Sequence, residues 1–374
     1  MDLKQAELKP EEQVTLKLRG LYERFGYKKY KMSKFEEYSL YSDNKDFLAG
    51  DKIITFTDLD GRLMALKPDV TLSIIKNSNI SEDTAEKAYY LENVYRESKD
   101  SRNFKEINQM GLELIGALDD YGITEVLSLA AETLAAVSPD YILEFSHMDY
   151  VVALLDNLDI SQQAKFKFLR LIRTRNVDGI RKNAAAENLS PEQQEALCAV
   201  PSLYGDVKQT VEKARKYACT DQMVSALDQM LVIYEGLRET GAAEKIQADL
   251  SIVNDIDYYN GIIFNGYVSQ LAGRVLAGGQ YDRALKRMGK KGKAIGFALY
   301  LNDINSLAKK KAEYDVDAVV LYGEGTPIAE VSGAVRRLQE NGMSVFAAKK
   351  EPEDLRCRNV YQLENGRLSE KEVR

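Results

Sequence analysis

EINQMGLEL, residues 106–114, decides the reading of the fold. At the two-residue period of a strand, Met110, Leu112 and Leu114 share one face, and Gln109, Gly111 and Glu113 share the other. The first face builds a core. The second offers an amide, a bare backbone and a carboxylate in a line. That could be an ordinary solvent-facing strand face. A glycine inside a strand weakens it, however, and close approach of a ligand is one reason to keep one there.

Outward from that strand, residues 88–116 read as two antiparallel strands around a charged loop at 97–102. Upstream, KIITFTD (52–58) and RLMALK (62–67) flank Asp60-Gly61, a hairpin signal. Helix-like stretches cover 10–25 and 70–76. Pro10, Glu11 and Glu12 suit the first turn of the former, and Gly26 stops it. Downstream, a helix is expected over 122–137. The chain then reads as helical from about 150 to 247, with 160–247 forming a helical insertion. Strand character resumes from Leu250 to Val268. A glycine-rich strand pair is expected over 271–282, then a helix at 283–288 and an apolar strand opening into a helix over 295–311.

DAVVLY (317–322), a helix over 327–341 and MSVFAA (343–348) form a βαβ unit with parallel strands. The polar tail LSEKEVR (368–374) is expected to fray. The reading is α+β: an antiparallel sheet flanked by helices over 1–311, and a short α/β unit over 312–374.

Composition narrows the function. With 374 residues, 45% hydrophobic and 29% charged, the chain reads as a soluble globular protein of two or three domains. No apolar run approaches the roughly eighteen residues of a membrane span, and residues 1–12 lack the apolar core of a signal peptide. A cytoplasmic setting is expected. Cys198, Cys219 and Cys357 are scattered without ligand spacing, and His147 is the single histidine, so no metal site is expected. A net charge of −7 does not advertise nucleic-acid binding. The basic run at 286–293 reads as a solvated loop, with a phosphate or RNA contact as the competing reading.

A free amino acid needs a carboxylate for its ammonium, a cation or backbone donor for its carboxylate, and a shaped slot for its side chain. Asp69 and Glu113 supply negative charge, and Arg96 can grip a carboxylate with two hydrogen bonds. Gln109 and Thr71 offer hydrogen bonds, Tyr258 and Tyr259 flat walls with polar tips, and Gly278 and Gly279 close backbone approach. Each alone fits a structural role as well. Their joint occurrence is the signal.

On these residues the chain resembles the class II aminoacyl-tRNA synthetases, and histidyl-tRNA synthetase among them. FTDLDGRLMALKPDVT (56–71) resembles an amino-acid-binding element, and YRES with EINQMGLELIG (95–98, 106–116) resembles motif 2 and the strand after it. DIDYYNGIIF (255–264) and AGGQYD (277–282) resemble the two histidine-specific peptides, and IGFALYLNDI (295–304) resembles motif 3. The likeness covers roughly 10–150 and 250–311. The 312–374 unit resembles a truncated anticodon-binding domain.

The departures cluster on the ATP side. Tyr300 and Asp303 stand where motif 3 of that family carries Gly and Arg, and Asn254 stands for an Arg three residues before its DYY. NFKEINQ (103–109) replaces RYRxFHQ, leaving Asn103, Lys105 and Asn108. Gln280 replaces the Arg of AGGRYD. An acid facing a triphosphate at about 5 Å costs about 3 kcal/mol per charge pair at an effective dielectric near 20. Tyr300 would also fill space where the family keeps bare backbone.

This pattern is similar to the synthetase-like regulatory subunits of ATP phosphoribosyltransferase, and SHMDYVVALL (146–155) adds to the likeness. That resemblance implies a non-catalytic chain that binds the short-form catalytic subunit in a hetero-octamer. It also implies L-histidine as feedback ligand, a homodimer of this chain, and neither tRNA nor a cofactor. The implied histidine site is Asp69, Thr71, Arg96, Gln109, Glu113, Tyr258, Tyr259, Gly278 and Gly279. An active histidyl-tRNA synthetase and a paralogue binding another amino acid are the competing readings.

Overall fold

The computed structural model describes residues 8–45, 48, 52–80, 83–98, 103–253, 259–302, 304–307 and 314–371. The chain divides into two compact units, Met1–Leu307 and Ala308–Arg374.

The strands of the first unit are β1 (Lys28–Lys29), β2 (Phe35–Glu37), β3 (Thr55–Thr57), β4 (Leu63–Leu66), β5 (Ala85–Glu97), β6 (Phe104–Gly116), β7 (Tyr141–His147), β8 (Tyr204–Gly205), β9 (Ile246–Asp249), β10 (Asn260–Val268), β11 (Arg274–Gln280) and β12 (Lys293–Tyr300). Nine of them form one sheet in the order β1-β5-β6-β12-β11-β10-β7-β9-β8. The six central strands are antiparallel. Only β1 on β5 and β9 on β7 pair in parallel. A three-stranded sheet, β2-β4-β3, carries the expected hairpin, with Gly61 at φ 81° in its turn.

The parity of β6 organises the layers. Met110, Leu112 and Leu114 enter the main core with Phe264, Phe297 and helices α1 (Pro10–Arg24) and α4 (Asp120–Val137). Helix α4 is apolar on most sides and buried along most of its length, as a helix packed behind a sheet requires. Asp119 starts it by accepting the Gly122 N–H at 2.9 Å. On the opposite face of the sheet, a second cluster gathers Tyr90, Ile115 and Tyr281 with α2 (Tyr38–Ser42) and α3 (Thr71–Asn77).

The expected insertion is helical: α5 (Met148–Asp156) leads into α6 (Gln162–Arg173), α7 (Val177–Ala186), α8 (Pro191–Ala199), α9 (Val207–Arg215) and α10 (Asp221–Glu239). Helix α10 packs on α4 and α5, so this region braces the core. It also supplies the two-residue strand β8, which the sequence reading did not anticipate. Arg175 ties the region down by pairing with Asp249 at 2.6 Å and stacking over the Tyr204 ring at 4.4 Å.

Three expectations change. Leu250–Val253 is not strand: Asp249 accepts both the N–H and the hydroxyl of Ser251, which turns the chain at the end of β9. The stretch 271–282 holds one strand, β11, pairing with β10 on one side and β12 on the other. After β12 the chain forms a short 3-10 turn at Ile304–Leu307. The expected helix beyond it lies outside the described residues.

Helix α11 (Asp282–Arg287) joins β11 to β12, and in the second unit β13 (Val316–Tyr322) is followed by α12 (Ile328–Glu340), β14 (Val345–Ala348), β15 (Cys357–Glu364) and β16 (Arg367–Lys371). The order is β14-β13-β15-β16, with β13 parallel to both neighbours. The tail does not fray through Lys371. It closes a hairpin on β15 through Asn365-Gly366, both with positive φ (48° and 73°), the conformation that suits an Asn-Gly turn.

Candidate functional site

Register across β5, β6, β12 and β11 places side chains in rows on the face opposite the main core. The first row is Ala88, Glu113, Gly296 and Gly279. The second is Tyr90, Gly111, Ala298 and Ala277. The third is Glu92, Gln109 and Tyr300. The centre of the sheet is therefore a floor of glycine and alanine, walled by polar and aromatic side chains. The floor cannot be thickened: a Cβ at Gly111 would stand 2.2 Å from the Phe297 carbonyl and 2.5 Å from the Tyr90 hydroxyl.

Glu113 is the deepest acid of this floor, 2% exposed. The Thr71 hydroxyl donates to its Oε1 at 2.9 Å, and the Tyr281 hydroxyl donates to its Oε2 in a short hydrogen bond. Both bonds favour the carboxylate. Burial outweighs them, because no ion pair reaches Glu113 among the described residues, and its carboxyl is pushed up to about 8.

Asp69 lies in the loop before α3. Its Oδ1 accepts the Leu72 N–H at 2.9 Å, and Arg96 approaches its Oδ2 at 3.5 Å. Burial pushes this carboxyl up, against the pull of Arg96 and the backbone N–H groups at the start of α3. Arg96, on the same face at the far end of β5, is anchored by donating to the Pro68 carbonyl at 2.6 Å.

Gln109 is 3% exposed, and its Oε1 has no hydrogen-bond partner among the described residues. A buried carbonyl oxygen left unpaired is costly, and a ligand donor at this point would satisfy it. Tyr90 and Tyr259 flank the floor. Burial raises both phenols, and Glu113 and Tyr300 lie near enough to each to add to the effect.

The structure thus brings together Asp69, Thr71, Arg96, Gln109, Glu113, Tyr259 and Gly279. Gly278 points the other way: its Cβ would meet Phe297 and Phe264 in the main core, so its smallness serves sheet packing. Tyr258, Asn254 and Asp303 lie outside the described residues. Asn103 and Lys105 are exposed on β6 and the turn before it.

Gln280 is buried, and its Oε1 accepts the Ile262 N–H at 2.6 Å across a β-bulge whose Gly261 has φ 58°. It holds backbone and does not project onto the floor. Asn302 pins the ends of β6 and β12 by accepting the Asn108 N–H at 2.9 Å and donating to the Glu106 carbonyl at 3.3 Å.

Tyr90, Tyr281 and the Lys67–Glu92 pair escaped the sequence reading. Tyr281 lies inside AGGQYD, two residues after Gly279. Lys67 is 2% exposed and ion-paired with Glu92, whose other oxygen accepts the Met32 N–H. In the basic run, Lys290 donates to the Ser78 carbonyl at 2.6 Å, capping the chain after α3, so at least that lysine is structural.

His147 sits on the core face at the start of α5. Its Nε2–H donates to Gln229 Oε1 at 2.7 Å, and its Nδ1 accepts the Asp149 N–H at 3.3 Å. Burial lowers its basicity. Cys198, Cys219 and Cys357 are free thiols. Among the described residues there is no cluster of three or more metal-ligating side chains, and no helix is long and apolar enough to cross a membrane.

Residues 1–304 match the family model described as histidyl-tRNA synthetase. An ATP phosphoribosyltransferase regulatory subunit from Caldanaerobacter subterraneus subsp. tengcongensis is 31% identical over 290 residues, covering 76% of this chain and 74% of that protein. A solved structure named as an ATP phosphoribosyltransferase regulatory subunit/histidyl-tRNA synthetase, from Bacillus halodurans, superposes with a TM-score of 0.74 at 24% identity. That match covers 90% of this chain and 88% of the other. A chain of the ATP phosphoribosyl transferase (HisG:HisZ) complex from Thermotoga maritima gives 0.61 at 20% identity, covering 78% and 97%. At these identities the two structures establish the fold.

Proposed function

We propose a function from one established premise: this chain belongs to the family of ATP phosphoribosyltransferase regulatory subunits, relatives of the histidyl-tRNA synthetases. It is accordingly a regulatory rather than a catalytic subunit of that transferase, and its partner is the catalytic subunit. The finer reading is ours. The chain binds free L-histidine on the Gly-Ala floor, assembles as a homodimer within a hetero-octamer, and transmits histidine occupancy to the partner as feedback inhibition. The setting is cytoplasmic, and neither tRNA nor a cofactor takes part.

The observation that carries the ligand reading is the buried Gln109 Oε1, without a partner among the described residues and facing the same floor as Glu113. A ligand donor there removes an orphaned acceptor, and a cation near Glu113 relieves an uncompensated buried acid. Imidazole and ammonium offer both. Linkage requires histidine to bind two quaternary arrangements unequally. A coupling of about 1–3 kcal/mol would change affinity roughly 5–150-fold.

Calorimetric titration of the assembled complex with L-histidine tests the reading. Saturable heat is expected, together with falling transferase turnover. No heat at millimolar histidine would end the proposal.

A further inference from the structure

On β12 the residues facing the floor run Gly296, Ala298, Tyr300. Two positions are as small as side chains can be, and the next is a large aromatic. The bare floor therefore stops at the third row. Tyr300 stands opposite Gln109 there and near the Tyr90 and Tyr259 phenols. It is pinned from behind: the Leu301 N–H donates to the Asn108 carbonyl at 2.9 Å, and Asn302 bridges to β6. These bonds fix the backbone from which the Tyr300 side chain stands.

The rows also order a ligand's ends. Glu113 lies in the first row and Gln109 in the third, four residues apart, so roughly 13 Å separates their backbones. Arg96 lies beyond the third row on β5. A ligand with a basic ring at Glu113 thus brings its carboxyl towards Gln109, Arg96 and Tyr300.

We infer that Tyr300 closes the carboxyl end of the cleft and makes it selective for an amino acid whose carboxyl is free, rejecting the same amino acid with a group attached there. This rests on the proposed reading of the cleft as a histidine site. The Gln109 NH2 and the Arg96 guanidinium can donate to a carboxylate oxygen while Gln109 Oε1 accepts from the neighbouring ammonium, whereas an ester or amide substituent continues towards the Tyr300 ring. The partner's inhibition would then follow the free amino acid and not its activated or esterified forms.

The test titrates the assembled complex with L-histidine, L-histidine methyl ester and L-histidinamide, in the natural protein and in Tyr300→Ala. The natural protein should bind the ester and amide at least thirtyfold more weakly than histidine. Tyr300→Ala should narrow the gap to threefold or less, whatever its effect on histidine itself. Equal binding of all three by the natural protein overturns the inference, as does an undiminished gap in a folded Tyr300→Ala. If the alanine variant does not fold, Tyr300→Leu substitutes and should reduce the gap by at least threefold, an unchanged gap again overturning the inference. Failure of histidine itself to bind the natural protein removes the underlying site reading, which is a different result.

Discussion

Gly296 and Glu113 stand directly opposite each other on β12 and β6, and the carboxylate fills the space a side chain at 296 would need: an added Cβ would lie 1.7 Å from Glu113 Oε2. The glycine-alanine floor and its deepest acid are therefore one packed unit. Gly296→Ala must displace that carboxylate and break its hydrogen bond from Tyr281. We expect histidine affinity to fall at least tenfold in a titration, with secondary structure retained in circular dichroism. Unchanged affinity would mean that Glu113 is not a ligand contact.

Glu113 also predicts a pH dependence. Its folded-state carboxyl lies near 8, above the ordinary 4.5, because of burial. Between those values the folded chain holds a proton that the unfolded chain has released. Stability from this group is therefore greatest below pH 4.5 and is lost as pH rises towards 8, by an amount on the order of several kcal/mol. Glu113→Gln cannot ionise, so its melting temperature should gain on the natural chain's as pH rises from 6 to 9. Parallel melting curves across that range would contradict this.

The Lys67–Glu92 pair predicts a non-additive cycle. Lys67 is fully buried, so Glu92→Leu alone strands an ammonium and should cost about 3–5 kcal/mol in denaturant unfolding. Combining it with Lys67→Met removes the stranded charge, and the double variant should recover most of that loss. Additive losses would show that the pair is not coupled.

Gln280 gives a prediction of opposite sense to its likeness. An Arg at this position would resemble the synthetases, yet Gln280 Oε1 is the acceptor that closes the bulge at Gly261 and Ile262. Gln280→Arg should destabilise by roughly 1–3 kcal/mol, since arginine has no acceptor and a buried N–H is left unpaired. A melting temperature equal to the natural chain's would refute the structural role.

Much of this site was legible because β6 announces its period. Gln109, Gly111 and Glu113 fall on one face by parity alone, and the faces are those observed. Gly278 and Gly279 are adjacent on a strand and must face opposite ways, so only one can line a floor. Tyr90 needed more than local pattern, since its place beside Gly111 depends on register between strands. The tail is less legible for a different reason. Arg367–Lys371 is polar, but Asn365-Gly366 turns it back onto β15, and pairing holds a polar strand that composition alone would leave loose.

The solitary imidazole at His147 has a practical corollary. The chain contains no tryptophan and one histidine, and that ring is sealed in the core with both nitrogens engaged. In a nitrogen-15 magnetic-resonance experiment on this chain, the imidazole background is the two ring-nitrogen resonances of one buried side chain. Every further ring signal comes from an added effector, whose tautomer and charge while bound can be read directly, without isotopic editing of the macromolecule.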